Sequence, residues 1–448
     1  MENAQTTGGS NLLINSFSRI GELPIFAGMI YKAIGLMSGS SLDGLDIAYV
    51  HLQRSAGSLQ GNPVKWEFNF VQTACYPYTA DWRQRLANAL SLSALDYQLL
   101  HTEYGHYLGQ QVNQFIEDHQ LQYQVQLIAS HGHTTFHLPG RKMTAQLGDG
   151  AALAAITSIN VVSDLRAMDL ALGGQGAPIV PIGEKLLLPG YDYFLNLGGI
   201  ANISCHPAPG APPMPGAATA PGTHPPPDAH PAPGFIAFDV CPANRVLNGL
   251  AATLDKPYDE GGALAASGKT DPGLLQSLNN LPYYGLPYPK SLANDFGTET
   301  VLPLVRKAQD AGLSTADALR TYVEHIAVQV SRAVEGLMSQ ASAKSTSPQS
   351  SEGSTSAPPA TGPREDAGRA RMLVTGGGAH NTFLVERLQH LLNLDVVVPD
   401  ARLADYKEAL IMALIGVLRW REENNVLASV TGAVRDSIGG AVWIGQEA

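Results

Sequence analysis

Three glycine-rich turns supply the residues of this chain best suited to chemistry. They lie within Gly35–Gly44, Asn196–Ser204 and Thr375–His380, and each interrupts a strand-like apolar run. Glycines at such turns let backbone N–H groups approach a phosphate more closely than residues with side chains could. Three turns of this kind predict a nucleotide held between two lobes.

The residues after each turn narrow the class of phosphate site. Leu42–Val50 and Ile200–Ser204 read as strands, so the first two turns are predicted to join strand to strand. A Walker A loop or a dinucleotide fingerprint would instead open a helix, and neither motif is present. The third turn leads from strand Arg371–Thr375 into a helix that starts near Asn381. Two hairpin turns and one strand-to-helix turn suit the actin and hexokinase-like ATPases.

Length and composition agree with a two-lobed architecture. The chain has 448 residues, 44% of them hydrophobic, which is enough for two packed domains. A net charge of −11 argues against a nucleic-acid partner. Cys75, Cys205 and Cys241 are too few and too scattered for a disulfide framework or a cysteine-based zinc site, so a cytoplasmic setting is expected. The first 30 residues hold no apolar run suited to a signal peptide or membrane helix.

Alternating helical and strand-like patterns predict an α/β fold with mixed sheets flanked by helices. The predicted strands include residues 125–130, 160–163, 236–240 and 394–398. The predicted helices are residues 80–90, 93–118, 149–157, 245–254, 315–339, 382–392 and 406–422.

We divide the chain by composition and pattern. Residues 1–30 form a loose extension, 31–180 an N-terminal lobe with the first phosphate turn, and 181–448 a C-terminal lobe whose last helix could return to the first lobe. Residues 206–234, rich in Pro, Ala, Gly and His, and residues 340–370, rich in Ser, Pro, Ala and Gly, are low-complexity insertions. A metal site in the histidines of the first insertion is the less favoured alternative.

Six motifs in order identify a family. They are Gly35–Asp46 (GLMSGSSLDGLD), Ser130–Thr134 (SHGHT), Thr144–Asp149 (TAQLGD), Asp164–Pro178 (DLRAMDLALGGQGAP), Asn196–Asn202 (NLGGIAN) and Gly376–Asn381 (GGGAHN). Together they resemble the anhydro-N-acetylmuramic acid kinases, from about Tyr31 to the C-terminus apart from the two insertions. The resemblance implies an actin and hexokinase-like two-lobed fold that closes over its substrates.

The resemblance also implies a coupled reaction. 1,6-Anhydro-N-acetylmuramic acid, water and ATP with Mg²⁺ give N-acetylmuramic acid 6-phosphate and ADP, in murein recycling. Such a reaction needs a base to activate water at C1. Asp169 matches the second acid of the family's Asp-x-Arg-x-x-Asp pattern and is the favoured base, with Arg166 keeping it ionised or contacting the sugar carboxylate. The alternative is that Asp169 caps a helix or turn while Asp164 is the base.

Carried over from the family, the nucleotide contacts fall on the glycine turns. Asp43 is expected to orient a Mg²⁺-bound water without touching the metal directly, while Asp43 and Asp46 could instead simply form the hairpin turn. No direct metal ligand is expected. The full nucleotide set is Gly39, Ser40, Ser41, Leu42, Asp43, Gly44, Asp46, Asn196, Gly198, Gly199, Asp239, Gly376, Gly377 and Gly378.

The sugar contacts carried over from the family are His131, Thr134, Gln146, Gly148, Asp149 and Glu408. His133 stands where many relatives have glutamine, and a zinc site at the two histidines lacks ligands at standard spacing. Glu408 could alternatively be a favourable acid near a helix start. A possible homodimer is implied by the resemblance alone, and no membrane partner is expected. The alternative functions are a kinase for another sugar and an ATP-binding regulatory protein without turnover.

Overall fold

The computed structural model describes residues 29–39, 42–55, 64–206, 234–288, 290–293, 295–342 and 369–445. Ser40 and Ser41, two of the predicted nucleotide contacts, lie outside the described residues. So do residues 1–28 and nearly all of the two low-complexity insertions, including His224 and His230, two of the histidines considered for a metal site.

The first sheet begins with an antiparallel meander and continues with parallel strands. Its spatial order is β13-β7-β4-β1-β2-β3. β2 pairs antiparallel with β1 and β3, whereas β4 runs parallel to β1 and β7 runs parallel to β4. The strands are β1 (Met29–Ser38), β2 (Gly44–Arg54), β3 (Trp66–Pro77), β4 (Leu127–Ser130), β7 (Asn160–Ser163) and β13 (Ala441–Trp443).

The second sheet repeats this arrangement. Its order is β10-β9-β8-β11-β12, with β8, β9 and β10 antiparallel and with β11 and β12 parallel to β8. A separate two-stranded hairpin is formed by β5 (His133–Leu138) and β6 (Met143–Leu147). The strands of the second sheet are β8 (Tyr193–Leu197), β9 (Ile200–Cys205), β10 (Ile236–Pro242), β11 (Arg371–Thr375) and β12 (Asp395–Val397). Apart from β13, which pairs antiparallel with β7 and has no counterpart in the second sheet, the strand order is the same in both sheets, and this confirms the predicted two-lobed α/β fold.

Helices cover both sheets. In the described part of the chain they are α1 (Ala80–Ala87), α2 (Ala94–Asp118), α3 (Gly150–Thr157), α4 (Ala167–Ala171), α5 (Pro181–Leu187), α6 (Asn244–Ala251), α7 (Ala263–Ser267), α8 (Pro272–Asn279), α9 (Leu302–Asp310), α10 (Thr315–Ser342), α11 (Thr382–Leu391), α12 (Ala401–Trp420) and α13 (Ala428–Thr431). None of these combines the length and apolar character that a membrane span needs.

The core has three parts, and the central one belongs to both lobes. α2 and α3 cover one face of the first sheet, and α10 packs with α6, α8 and α11 on the second sheet. Between the sheets lies α12, whose middle residues are almost wholly buried. The core around α12 includes Val50 of the first sheet and Phe194 and Leu373 of the second. Burial of this helix on both sides therefore joins the lobes.

Several predicted elements are confirmed, and a few were wrong in extent. The first two glycine turns join strand to strand, and the third joins β11 to α11. α12 starts at Ala401, one turn earlier than predicted, because Asp400 caps it by accepting a hydrogen bond from the Leu403 N–H. β10 does not end at Val240, as predicted, but continues to Pro242 across a bulge. The boundary near residue 180 stays a prediction.

Candidate active site

The first glycine turn connects β1 to β2 beside β3. Leu42 has a left-handed backbone, with φ of 59°. A Cβ on Gly44 would lie 2.6 Å from the Tyr76 carbonyl oxygen, so only glycine lets β2 approach β3 here. The Asp43 carbonyl oxygen accepts a hydrogen bond from the Tyr78 N–H at 3.2 Å. On the β1 side of the turn, Gly39 is the last described residue. Asp43 and Gly44, on the β2 side of the turn, are thus held against β3 and Tyr78.

The second and third glycine turns pack directly on each other. A Cβ on Gly376, whose φ is 82°, would lie 2.5 Å from Asn196 Oδ1. A Cβ on Gly378 would lie 2.6 Å from the Leu197 side chain, whereas Gly377 is exposed. These glycines are therefore needed for close approach of the two turns.

The start of α6 closes the second turn from the other side. The Gly198 carbonyl oxygen accepts a hydrogen bond from the Asn244 N–H at 3.0 Å, and that of Gly199 accepts one from the Ala243 N–H at 2.9 Å. Asn244 Nδ2 donates to the Leu197 carbonyl oxygen at 2.9 Å. With their carbonyl oxygens turned toward α6, the two glycines sit in a fixed hairpin. The structure thus brings Asn196, Gly198 and Gly199 together with the third turn.

All three turns meet the N-terminal half of α12. Gly35, just before the first turn, lies against the Ala409 backbone so closely that a Cβ would overlap the Ala409 carbonyl oxygen. Asn196 Nδ2 donates to Glu408 Oε1 at 2.9 Å. The Gly376 N–H donates to the Ala404 carbonyl oxygen at 2.8 Å. One helix therefore sets the mutual positions of the predicted phosphate turns.

A buried ion pair fixes α12 beside this site. Lys407 Nζ lies 2.7 Å from Glu184 Oε1, and both side chains are almost fully buried. The Ser204 hydroxyl donates to the other oxygen of Glu184. These contacts join α12, α5 and β9. They hold Glu408, the next residue along α12, at the second glycine turn.

Carboxylates cluster around the first turn. Burial, together with the negative charges of Glu408, Asp405 and Asp43, raises the pKa of Asp46 to about 6. Burial also raises the pKa of Glu408, against the positive charges of Lys407 and Arg166. Mutual repulsion of this kind favours a cation nearby. Within the described part of the chain, no three metal-ligating side chains come together as a direct metal site.

Asp239 lies in β10, on the far edge of the second sheet. Its Oδ2 accepts a hydrogen bond from the Leu292 N–H at 2.8 Å, and burial raises its pKa to about 6. The Tyr283 hydroxyl donates to its backbone carbonyl oxygen at 2.6 Å. The structure shows these protein partners of Asp239, and its nucleotide contact stays a prediction.

Asp169 is fully buried on α4. Its Oδ2 accepts a hydrogen bond from the Gly176 N–H at 2.7 Å, and its Oδ1 accepts one from the Thr431 hydroxyl at 2.7 Å. Burial raises the pKa of Asp169, against these two hydrogen bonds and the positive charge of Arg166. A Cβ on Gly174 would overlap the carboxylate, so glycine allows the following loop to cover it.

Arg166 joins Asp169 to His131. Its Nε donates to His131 Nε2 at 2.9 Å, and its Nη1 donates to the Gly176 carbonyl oxygen at 2.6 Å. Because Nε2 of His131 accepts, its proton is on Nδ1, which donates to the Gly132 carbonyl oxygen at 2.8 Å. Burial, reinforced by Arg166, lowers the pKa of His131 to about 3. Both ring nitrogens of this neutral histidine have protein partners.

Arg166 also interacts with the charge of Glu408. Burial lowers its pKa to about 10, against the negative charges of Glu408 and Asp169. The guanidinium is therefore near enough to Glu408 for the two charges to interact. This pair connects the segment that carries Asp169 to the helix that contacts the glycine turns.

Asp164 differs from Asp169 in its exposure to solvent. It is exposed, at the end of β7, with a left-handed φ of 55°. Its Oδ2 accepts a hydrogen bond from the Ser163 hydroxyl at 3.0 Å. Asp164 thus faces solvent, while Asp169 is enclosed with Arg166.

The other predicted sugar contacts lie on the β5–β6 hairpin and the turn after it. Thr134 is exposed, whereas Gln146 is buried and its Nε2 donates to the Thr144 hydroxyl at 2.7 Å. Gly148 has φ of 114°. Asp149 caps α3, because its Oδ1 accepts a hydrogen bond from the Ala151 N–H at 2.8 Å. Their contact with sugar stays a prediction.

Sequence reasoning missed two groups of residues beside the site. Thr431 is 262 residues from the aspartate it contacts, and nothing in the local sequence indicated the pairing. A buried chain of hydrogen bonds also runs from Tyr104 through Tyr78 and Ser38 to His133, with separations of 2.6, 2.8 and 3.1 Å. The hydroxyl of Ser38 in the first motif was the one available signal for this chain.

Comparison with known proteins gives one consistent family. The family model for anhydro-N-acetylmuramic acid kinase matches residues 31–224, 228–345 and 361–445. The chain is 33% identical over 417 residues to the anhydro-N-acetylmuramic acid kinase of Salinibacter ruber, covering 89% of this chain and 93% of that protein. It is 29% identical over 427 residues to the enzyme of the same name from a Sulfurovum species, covering 92% and 99%.

The solved structures that resemble this chain are those of proteins with other names. The activator of the 2-hydroxyisocaproyl-CoA dehydratase from Clostridium difficile, with bound ADPNP, is 13% identical with a TM-score of 0.36, covering 88% of this chain and 96% of that one. Component A of the (R)-2-hydroxyglutaryl-CoA dehydratase from Acidaminococcus fermentans is 14% identical with a TM-score of 0.38, covering 86% and 97%.

Proposed function

The chain belongs to the anhydro-N-acetylmuramic acid kinase family, and we propose that it uses ATP and water to convert 1,6-anhydro-N-acetylmuramic acid to N-acetylmuramic acid 6-phosphate. In this reaction water adds at C1, the bond between C1 and the bridging oxygen breaks, and that oxygen takes the γ-phosphoryl group of ATP. ADP leaves, and one proton is released.

Asp169 is the proposed base that takes the proton of the attacking water. Its enclosure supports this role, because two hydrogen-bond donors keep the carboxylate in a fixed position, while burial raises its pKa and makes its negative charge a stronger proton acceptor. Arg166, held by His131 and the Gly176 carbonyl oxygen, would steady this charge or meet the carboxylate of the sugar. Since Asp169 is fully covered, the loop at Gly174 has to shift to admit water.

The three glycine turns are the proposed phosphate site. Their convergence on α12 supports this proposal, because positioning is most of what phosphoryl transfer requires of a protein. Mg²⁺ would enter with ATP and neutralise charge on the phosphates. The carboxylates near the first turn fit contact with its bound waters: Asp43 would orient one water, and Asp46 raises the negative potential there.

The single observation that carries this proposal is the family match over nearly the whole described chain, with Asp169 and Arg166 enclosed together in the matched region. On the same basis we propose that the enzyme acts in the cytoplasm, where ATP is available, in the recycling of murein sugars. A homodimer is part of the proposal, and gel filtration with light scattering would test it.

The test is ADP release by the purified chain with Mg²⁺ and ATP, with and without 1,6-anhydro-N-acetylmuramic acid. We expect strong stimulation by the anhydro sugar. Asp169→Asn should lower kcat by at least about a hundredfold, because the amide cannot take the proton from water. Product analysis should show phosphate on the sugar and one oxygen from ¹⁸O-labelled water at C1.

Asp164→Asn is the matched control. It makes the same chemical change five residues away, at an exposed position, and should leave most of the turnover. A large loss in Asp164→Asn with activity retained in Asp169→Asn would move the base to Asp164. ATP binding without sugar-stimulated ADP release would instead contradict the proposed substrate.

A further inference from the structure

The last part of the chain folds back onto the loop that covers Asp169. The Gln175 N–H donates to the Thr431 carbonyl oxygen at 2.8 Å, and the Val434 N–H donates to the Leu172 carbonyl oxygen at 3.2 Å. Farther along, β13 pairs with β7, which leads into the same loop. Residues 427–443, which we term the C-terminal strap, are therefore bound to residues 160–176 at several points.

A buried asparagine fixes the course of the C-terminal strap. Asn425 Nδ2 donates to the carbonyl oxygens of Ile415 and Gly439, at 3.1 and 2.9 Å, and its Oδ1 accepts from the Gly439 N–H at 2.7 Å. Both ends of the strap are thus held to α12 and to each other. Thr431, within it, is 1% exposed. The Thr431 side chain therefore lies in the protein interior, at the position where it contacts Asp169.

We propose that Thr431 is a positioning residue for the catalytic base. Its hydroxyl holds Oδ1 of Asp169 while the Gly176 N–H holds Oδ2, so the carboxylate has one orientation and each oxygen keeps a second lone pair for water. The inference rests on the proposed function, since it takes Asp169 as the base. It assigns to the C-terminal strap a part in catalysis that the sequence motifs do not indicate.

The distances favour the carboxylate as the partner of the Thr431 proton. The hydroxyl oxygen is 2.7 Å from Asp169 Oδ1 but 3.4 Å from the Leu427 carbonyl oxygen, the other acceptor. The Ala433 N–H, at 3.4 Å, can donate to the same hydroxyl. A hydroxyl has one proton, and a charged acceptor at the shorter distance takes it.

The charges around the carboxylate allow a pH readout. Arg166, on the same segment, is the cation that stabilises ionised Asp169, and the groups hydrogen-bonded to the carboxylate, Thr431 and Gly176, are neutral. His131 behind Arg166 is held neutral, and Glu408 on α12 acts on Arg166. Removing the Thr431 donor should therefore favour protonated Asp169.

The experiment compares Thr431→Val, which keeps the shape but removes the hydroxyl, with Thr431→Ser, which keeps the hydroxyl. ADP release by the full chain is followed from pH 5 to 9 at saturating ATP and anhydro sugar. We expect Thr431→Val to lower kcat about ten- to hundredfold, the size expected for a hydrogen bond to a charged group. Its acid limb should move to higher pH, and the KM for ATP should change less than about twofold. Thr431→Ser should restore kcat and the limb.

Thr321→Val is the matched control for stability. Thr321 is a fully buried threonine on α10 whose hydroxyl donates to the Asp317 carbonyl oxygen at 2.7 Å and accepts from the Asp271 N–H at 2.9 Å. It lies away from the glycine turns and Asp169. Thermal unfolding of Thr321→Val and Thr431→Val measures what the loss of a buried hydroxyl does to folding alone.

Four outcomes would overturn the inference. Wild-type kcat and acid limb in Thr431→Val would show that Asp169 does not need the hydroxyl. Equal losses of kcat in Thr321→Val and Thr431→Val would assign the effect to stability. Full activity in Asp169→Asn would overturn the base itself, and with it the role of Thr431. Loss of activity in Asp169→Asn with an unaffected Thr431→Val would instead leave the proposed function standing and reject this inference alone.

Discussion

At the scale of single residues, three histidines of the described part of the chain are enclosed as neutral rings. Burial lowers the pKa of His131 to about 3, of His133 to about 4 and, with help from the positive charge of Arg332, of His325 to about 3. His325 is fully buried on α10, where Nδ1 donates to Asn279 Oδ1 at 2.7 Å and Nε2 accepts from the Tyr284 hydroxyl at 3.0 Å. Each enclosed ring makes the folded state sensitive to acid.

His325 gives a prediction about stability. The unfolded chain takes up a proton on this histidine below about pH 6.5, whereas the folded chain does so only near pH 3. The contribution of neutral His325 to the unfolding free energy is therefore fully present above pH 6.5 and is lost as the pH falls toward 3. We expect His325→Gln to reduce the loss of unfolding free energy between pH 7 and pH 5 by about 2 kcal/mol. Urea unfolding at both pH values, followed by tryptophan fluorescence, measures it.

The quantity to compare is the pH dependence of the unfolding free energy in the variant and in the wild type, because other groups titrate in the same pH range. Asp46 and Asp239, each with its pKa raised to about 6, oppose the histidines by binding protons in the folded state. These two aspartates act equally in the wild type and in His325→Gln, so their effect cancels in the difference. His106→Gln makes the same substitution at an exposed site and serves as the control. An unchanged pH dependence in His325→Gln would contradict the neutral, enclosed ring.

Residue types and motifs predicted which residues are candidates for the site better than they predicted which side chains contact one another. The Asp-x-Arg-x-x-Asp pattern placed Asp164 and Asp169 in one segment, but only the structure shows that one is exposed and the other buried. His131 was chosen as a sugar contact, yet its ring nitrogens bind Arg166 and Gly132. Thr431 was not chosen at all. Such pairings join distant parts of the chain, so local patterns do not contain them.

At the scale of elements, α12 determines the geometry of the site. It touches the residue before the first glycine turn, the asparagine of the second and the first glycine of the third. β1 can lie this close because Gly35 has no side chain. The contact is to helix backbone, which cannot rotate away as a flexible side chain would. Close packing of β1 on α12 is therefore sensitive to one methyl group.

Gly35→Ala tests this contact. The added methyl overlaps the Ala409 carbonyl oxygen and lies 2.8 Å from the Ala413 nitrogen, so α12 must move off β1. We expect a loss of about 3 kcal/mol in unfolding free energy, at the upper end for overpacking. Sugar-stimulated turnover should also fall, because Glu408 moves with the helix. Gly140→Ala, where the methyl meets nothing within 4 Å, should change neither quantity. Equal behaviour of the two variants would rule out the tight contact.

Of the helices in the described part of the chain, seven were predicted from pattern and six were missed, namely α4, α5, α7, α8, α9 and α13. Strands with β-branched runs and helices with clear periodicity, such as Asn160–Ser163 and Thr382–Leu391, were identified within a residue or so. β3 and the β5–β6 hairpin were missed, since many of their residues are exposed or partly exposed and lack a clean alternation. β13 was missed because it is three residues long and depends on pairing with β7.

At the scale of the whole molecule, the proposed base and two of the three glycine turns come from different sheets. Asp169 and Arg166 follow β7 of the first sheet, whereas Asn196 and Gly376 belong to turns of the second. Glu408 lies between them, hydrogen-bonded to Asn196 and attracted by Arg166. When one substrate binds and orders Glu408 and its two partners, the second substrate no longer has to supply all of the free energy needed for that ordering.

We therefore expect the substrates to bind cooperatively. Calorimetric titration of the anhydro sugar should give a Kd at least about fivefold lower when a non-hydrolysable ATP analogue with Mg²⁺ is saturating, and the reverse titration should give the same factor, as linkage requires. Glu408→Gln removes the charge that attracts Arg166 while keeping the length of the side chain, so it should bring the factor toward one. Arg387→Met, which breaks the ion pair with Glu324 in the second lobe, should keep the wild-type factor. Independent binding in the wild type would mean that Glu408 and Arg166 do not couple the lobes.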